Sequence, residues 1–263
     1  MPINLGSNVT GETSVYSQIK RDMVEGQLPS GGGGFTPNSI SNCFLWYDFS
    51  DTATYTPVAG VITSIQDKSP SGNTGTGSVA IDSSGGTFSL NCAKSPYDLG
   101  LASSFESAGK TIFAAAYTDF NGVSGGFGAM ILLNDNTDIS STGHGIEIIT
   151  SGSNTRMQVY DGTFGAYSPL GSVTVAKHVF TYTLGNPASS FVFRQDLAVQ
   201  TTNLIVDGSF SLVCNRVGAY AANPTYGQGL NARLAELIVY NRILTGTEIG
   251  QVESYLKTKW GTP

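Results

Sequence analysis

The apolar residues of this chain come in short runs, each cut off within a few positions by Gly, Ser, Asn or Asp. Examples are "CFLWYDF" (43–49), "KTIFAAAYTDF" (110–120), "FGAMILLND" (127–135), "GIEIIT" (145–150), "RMQVYDG" (156–162) and "ARLAELIVYN" (232–241). These runs are rich in β-branched and aromatic residues, which favour a pleated, half-buried backbone. In "KHVFTYTL" (177–184), His178, Phe180, Tyr182 and Leu184 share one face, and Val179, Thr181 and Thr183 share the other. "VITSIQD" (61–67) alternates in the same way. Between the runs lies turn chemistry: "KSPSGNTGTG", "SGSN" and the dipeptide Asp207-Gly208, with "SSFVFRQDLAVQ" reading as a hairpin that turns at Gln195-Asp196. Closely spaced short strands of this kind predict an all-β, two-sheet sandwich or jelly roll. The sequence has no internal repeat of the sort that builds propellers or solenoids.

Composition narrows the functions. Glycine numbers 33 in 263 residues, charged residues are 12%, and the net charge is −6. The 13 Lys and Arg are scattered and form no basic run, which excludes nucleic acid as the expected partner. Cys43, Cys92 and Cys214 are far apart and odd in number, so they read as buried thiols rather than a disulfide framework or metal site. No apolar stretch reaches the roughly 20 residues of a membrane span. The opening "MPINLGSNVTGE" has neither a basic nor an apolar signal region, so synthesis in a cytosol is expected.

The two ends differ from the middle. Within residues 1–28, Val15, Ile19 and Met23 recur at a spacing of four, with Thr13 or Ser14 as N-cap. That spacing predicts a short amphipathic helix needing a surface to lie on. "PSGGGGF" (29–35) follows, and a glycine run suits a tether between independently placed parts. The expected organisation is an anchoring arm (1–28), a Gly-rich linker (29–42) and a displayed domain (43–263). At the other end, Thr245 and Glu248 form a capping box, and Ile249, Val252, Leu256 and Trp260 form an apolar stripe. Lys257 and Lys259 suit the last turn of that C-terminal helix, and Gly261 and Pro263 its stop.

Two segments carry a resemblance. "LWYDFSDTATYT" with "IQDKSPSGN", and "ARLAELIVYNRILTGTEIGQVESYLKTKWG" (232–261), resemble the opening and closing elements of the laminin-G-like, concanavalin A-like jelly-roll family. The resemblance implies a concanavalin A-like sandwich over residues 43–261, a fold that hosts lectins, glycan hydrolases and structural modules alike. The hydrolases among such proteins carry a strand motif E-x-D-x-E, whereas here "GIEIIT" offers Glu147 alone and "LAEL" only Glu236. A glycosidase needs two carboxylates across the bond, so no catalytic residue is expected. Glu236 is expected to bond the neighbouring turn or Arg233. His178 reads as a packed strand residue, and His144, in the loop "STGHGIE", as either a turn residue or a ligand contact.

Family members often hold calcium on rim loops, and "LNDNTD" supplies Asp135, Asn136 and Asp138 as hard oxygen ligands. Turn-forming Asn and Asp account for that cluster equally well. The loop "GAYAANPTYGQGLN" (218–231) gathers Tyr220, Asn223, Tyr226 and Gln228, a glycan-like set of aromatic platforms and polar fixers. No cofactor is expected apart from that possible calcium.

Modules of the family also occur on bacteriophage virions, made in the host cytoplasm without a signal peptide. The resemblance therefore implies a non-enzymatic virion surface protein, as capsid decoration or fibre. Val15, Ile19 and Met23 would anchor it on a major capsid protein or another virion protein, and a homo-oligomer is one form it could take. The alternative is a glycan-binding adhesin directed at host-surface glycans, with a glycan hydrolase third.

Overall fold

The computed structural model describes residues 34–55, 57–82, 89–91, 98–118, 127–135, 145–151, 154–218 and 232–263. The arm residues Val15, Ile19 and Met23 lie outside them. The described strands begin with β1 (Cys43–Asp48), β2 (Val61–Ile65), β3 (Gly75–Asp82), β4 (Ser89–Asn91), β5 (Asp98–Glu106) and β6 (Lys110–Thr118). They continue with β7 (Phe127–Leu133), β8 (Gly145–Ser151), β9 (Asn154–Tyr160), β10 (Gly165–Tyr167) and β11 (Ala176–Leu184). Then come β12 (Val192–Gln195), β13 (Ala198–Gln200), β14 (Asn203–Val206), β15 (Val213–Gly218), β16 (Arg233–Tyr240) and the helix α1 (Gly246–Trp260).

All of the strand pairs are antiparallel. One layer runs β13-β12-β11-β6-β16, with β1 and β4 also on β16. The opposing layer joins β2-β3-β5-β15 to β7-β8-β9-β10-β14 where Asn134 bridges Arg216. Strand β3 ties the layers together, because Ile81 and Asp82 pair with β4 while Gly75 to Ser78 pair with β5. Between the layers lie Leu45, Tyr47, Phe49, Ile112, Phe180 and Tyr182 from the first, and Ile65, Leu99, Met130, Ile148, Met157 and Val159 from the second. Each large apolar side chain buried there contributes roughly 1.5–3 kcal/mol. The expected all-β sandwich with a C-terminal helix is the fold observed.

The helix covers the outer face of the first layer. Thr245 Oγ1 accepts from Glu248 N–H, and Glu248 reaches back to the Thr245 backbone, so the capping box forms. Ile249, Val252, Leu256 and Trp260 are buried. Gly261 ends the helix at φ 61°, the left-handed conformation glycine adopts at least cost. Glu253 is also buried, accepting from Thr181 Oγ1 (2.8 Å) and Arg194 Nε (2.8 Å) on the sheet below.

A bulge in β16 decides where Glu236 points. The register with β6 shifts between Leu234 and Glu236, so Leu234, Leu237 and Val239 face the core, and Glu236 turns to the helix. There its carboxylate accepts from Trp46 Nε1 (2.7 Å), Tyr255 OH (2.8 Å), Lys259 Nζ (2.8 Å) and Trp260 Nε1 (2.8 Å). Glu236 is structural, and its partners are these four rather than Arg233 or the neighbouring turn. Asp67 is satisfied in a similar way: its carboxylate accepts from the backbone N–H of Trp46, Ser69 and Asn73 and from Ser69 Oγ. That accounts for the turn within "IQDKSPSGN" (65–73). Residues 36–42 are bonded to the sandwich, with Tyr240 OH donating to Pro37 O (2.8 Å) and Asn38 Nδ2 to Lys68 O (2.8 Å).

Three local expectations fail. The β12–β13 hairpin turns at Asp196-Leu197, one residue later than expected, with φ 51° and 71°. Both central residues are left-handed, as a two-residue hairpin of this hand requires. Asp207-Gly208 makes no hairpin: β14 pairs with β10, and Asp207 Oδ1 instead accepts from Ser189 N–H (2.8 Å). In β2, a register shift between Ile62 and Ser64 lets Ile62 and Ile65 both enter the core, breaking the strict alternation.

Candidate functional site

The alternation in β8 and β9 leaves polar side chains on the outer face of the second layer. Ile146, Ile148, Met157 and Val159 enter the core, so Glu147, Arg156, Gln158 and Tyr160 point the other way. Cross-strand register lines up one row. Glu147 is opposite Gln158, Gln158 opposite Tyr167 on β10, and Tyr167 opposite Asn203 on the edge strand β14. Four strands at the usual spacing make a row about 14 Å long.

The row is hydrogen-bonded in sequence. Arg156 Nη2 donates to Gln158 Oε1 (2.8 Å), and Gln158 Nε2 donates to Glu147 Oε1 (2.9 Å). The Arg156 guanidinium lies over the Tyr167 ring, 4.1 Å from its centroid, a cation–π arrangement. Glu147 is 1% exposed and Gln158 5%, while Arg156 and Tyr167 are partly exposed. Two buried polar atoms, Glu147 Oε2 and Arg156 Nε, have no hydrogen-bond partner among the described residues. A buried polar atom without a partner costs about 1–3 kcal/mol, so the pair marks where stability is given up.

Burial pushes the Glu147 carboxyl up to about 7, against the Gln158 hydrogen bond and the Arg156 charge, which favour ionisation. Its cross-strand partner is an amide and the charged neighbour acting on it is a cation. The row can hold hydroxyls, an anion and an apolar sugar face. It does not supply the carboxylate pair that most glycosidases use.

The residues singled out in the sequence fall partly elsewhere. Asp135 follows the end of β7, where its backbone carbonyl accepts from Asn215 Nδ2 (3.2 Å). Its companions Asn136 and Asp138 lie outside the described residues, as do His144, Tyr220, Asn223, Tyr226 and Gln228. The flanks of the two candidate loops do meet: Asn134 Nδ2 donates to Gly218 O (2.7 Å), and Asn215 N–H to Asn134 O (2.9 Å). Among the described residues no three His, Cys, Asp or Glu side chains converge as a metal site. His178 is a packed strand residue, with Nδ1 at 2.6 Å from Asp196 Oδ2 and Nε2 at 3.0 Å from Thr174 O. Cys43 and Cys214 are buried free thiols, and burial raises Cys43 to about 12. The sequence flagged Glu147 only as a lone acid; the face shared by Glu147, Arg156 and Gln158 becomes visible once β8 and β9 are paired as a hairpin.

No protein-family model matches the sequence, and no curated protein matches it. The fold itself recurs in solved structures. One is Trypanosoma rangeli sialidase in complex with sialic acid, at TM-score 0.55 and 13% identity over 95% of this chain and 40% of that one. Another is the binding domain of botulinum neurotoxin serotype G, at TM-score 0.57 and 12% identity over 84% of this chain and 54% of that one. A third is the binding domain of Paraclostridial Mosquitocidal Protein 1, at TM-score 0.51 and 12% identity over 86% of this chain and 54% of that one. The chain spans well under two thirds of the length of each. At these identities the likeness is one of fold: a β-sandwich shared with toxin binding domains and part of a sialidase.

Proposed function

We propose that the chain is a glycan-binding β-sandwich module without hydrolytic activity. The observation that carries this is the Glu147–Gln158–Tyr167–Asn203 row, in which two buried polar side chains adjoin a partly exposed aromatic ring and amide on neighbouring strands. Planar amides and carboxyls hydrogen-bond sugar hydroxyls, and the phenol ring offers a surface for apolar sugar faces. Toxin binding domains of the same fold make a recognition role the natural one. Tyr220 and Tyr226, outside the described residues, are proposed as further ligand contacts.

The test is a glycan array followed by calorimetry on the full chain, with Gln158→Ala and Tyr167→Ala compared at matched melting temperature. Binding that weakens about tenfold in each variant, worth about 1.4 kcal/mol, supports the reading. Binding unchanged in both, or release of reducing ends from the bound glycan, defeats it.

A further inference from the structure

The arginine of the row lacks what comparable arginines have. Arg194 is paired with Glu253 and Arg242 with Glu248, each carboxylate within hydrogen-bond reach. Arg156 instead donates from Nη2 to an amide oxygen, that of Gln158. Gln158 stands between the guanidinium and Glu147, and it is Gln158 that occupies Glu147 Oε1. No carboxylate among the described residues forms an ion pair with Arg156, and its buried Nε has no partner there. Burial, which drives Glu147 toward its neutral acid, further reduces the negative charge beside it. A partly buried cation without a counter-ion is costly, and an arriving anion removes that cost.

The guanidinium is also held in place. Tyr167 supports one face at 4.1 Å, and Gln158 fixes Nη2. A planar fork held in this way is pre-organised for a planar, two-oxygen anion. We propose that Arg156 is an anion subsite, so that the glycan bound along this row is an acidic saccharide whose carboxylate pairs with Arg156. This rests on the glycan-binding reading above. The neutral part of the sugar then lies toward Tyr167 and Asn203, the next positions in the same row.

Matched probes that differ in a carboxylate test this by calorimetry on the full chain. One arm sets trigalacturonate against galactotriose, with the acid on the ring carbon C5. The other sets 3′-sialyllactose against lactose, with the acid on an anomeric carbon. The expected result is that one acidic probe binds at least tenfold more tightly than its neutral partner, and the arm that does so identifies the source of the acid. Arg156→Gln should abolish that preference, and Arg156→Lys should retain part of it. Raising the salt concentration should weaken the acidic probe selectively, a readout independent of how the variants fold. Equal binding of acidic and neutral probes, both weakened by Gln158→Ala, overturns the anion subsite and leaves the glycan-binding reading standing. No binding of any probe overturns both.

Discussion

Gln158 Nε2 donates to Glu147 Oε1 at 2.9 Å across the β8–β9 hairpin, while the second oxygen of the same carboxyl has no partner among the described residues. A carboxylate with one oxygen satisfied and the other buried is poorly suited to carrying charge. The neutral acid fits the site better, and this has a consequence for stability.

Glu147 is raised in the folded protein to about 7, whereas the unfolded chain releases that proton near the ordinary glutamate value of about 4.3. Between those two values the folded state binds more protons than the unfolded state. Stability from this group is therefore fully present below the unfolded value and is lost as pH rises through about 7. Glu147→Gln keeps the shape and removes the charge. The variant should match the parent in urea at pH 4 and exceed it at pH 8 by on the order of 1–3 kcal/mol. Parallel pH profiles for the two proteins would contradict the assignment.

Glu236 presents the opposite case, a buried carboxylate with both oxygens occupied. Trp46 and Trp260 both donate to it, and they are the only two tryptophans of the chain. Glu236→Ala strands two indole N–H groups and leaves Lys259 with Asp48 as its remaining acidic partner. The cost should be roughly 3–5 kcal/mol. Intrinsic tryptophan fluorescence should shift to the red as the helix loosens from the sheet, before the sandwich itself unfolds. A single transition with unchanged emission would show that the helix is held by its apolar stripe and the Glu253 bonds without Glu236.

Much of this architecture is legible in the sequence because the patterns that encode it are local. The capping box of Thr245 and Glu248, the stripe from Ile249 to Trp260 and the alternation of β11 each specify one element without reference to any other. What escapes is set by pairing. Glu236 reads as a partner of Arg233 or the neighbouring turn until the bulge in β16 aims it at the helix. The Glu147 row is spread over residues 147, 158, 167 and 203, and only the register of four strands assembles it. Asp207-Gly208 misleads for the same reason: the dipeptide permits a hairpin, but β10 offers β14 a partner elsewhere.

The hairpin at Asp196-Leu197 is a place where one substitution should add stability. Leu197 sits at φ 71°, where a side chain with a Cβ costs about 1–2 kcal/mol. The Asp196 carboxylate meets His178 Nδ1 and accepts the Val179 N–H, and Leu197 O accepts from Arg194 Nη2, so the turn is held by bonds that do not involve the leucine side chain. Leu197→Gly relieves the strain at the expense of a partly buried side chain and added freedom in the unfolded chain. The net gain should be about 0.5 kcal/mol. Asp196→Ala, which removes the carboxylate from both His178 and Val179, should lose about 2 kcal/mol. Thermal melts of the two variants should move in opposite directions; a Leu197→Gly protein that melts below the parent would mean that the leucine contact outweighs the backbone strain.

Among the described residues the core lies beyond Phe35, and residues 36–263 form a compact unit. Removing residues 2–34 should therefore leave melting temperature and glycan affinity unchanged within error, because no residue of that core and no member of the Glu147 row is lost. The expectation that the arm anchors the protein on a virion makes an additional demand on the same truncation. If residues 1–28 anchor the protein on a particle, the shortened chain should stay folded and bind glycan yet fail to co-sediment with particles that capture the full chain. A truncated protein that melts earlier would show that the arm contributes to the sandwich. One that still associates with particles would place the attachment surface on the sandwich itself and remove Val15, Ile19 and Met23 from the anchoring role.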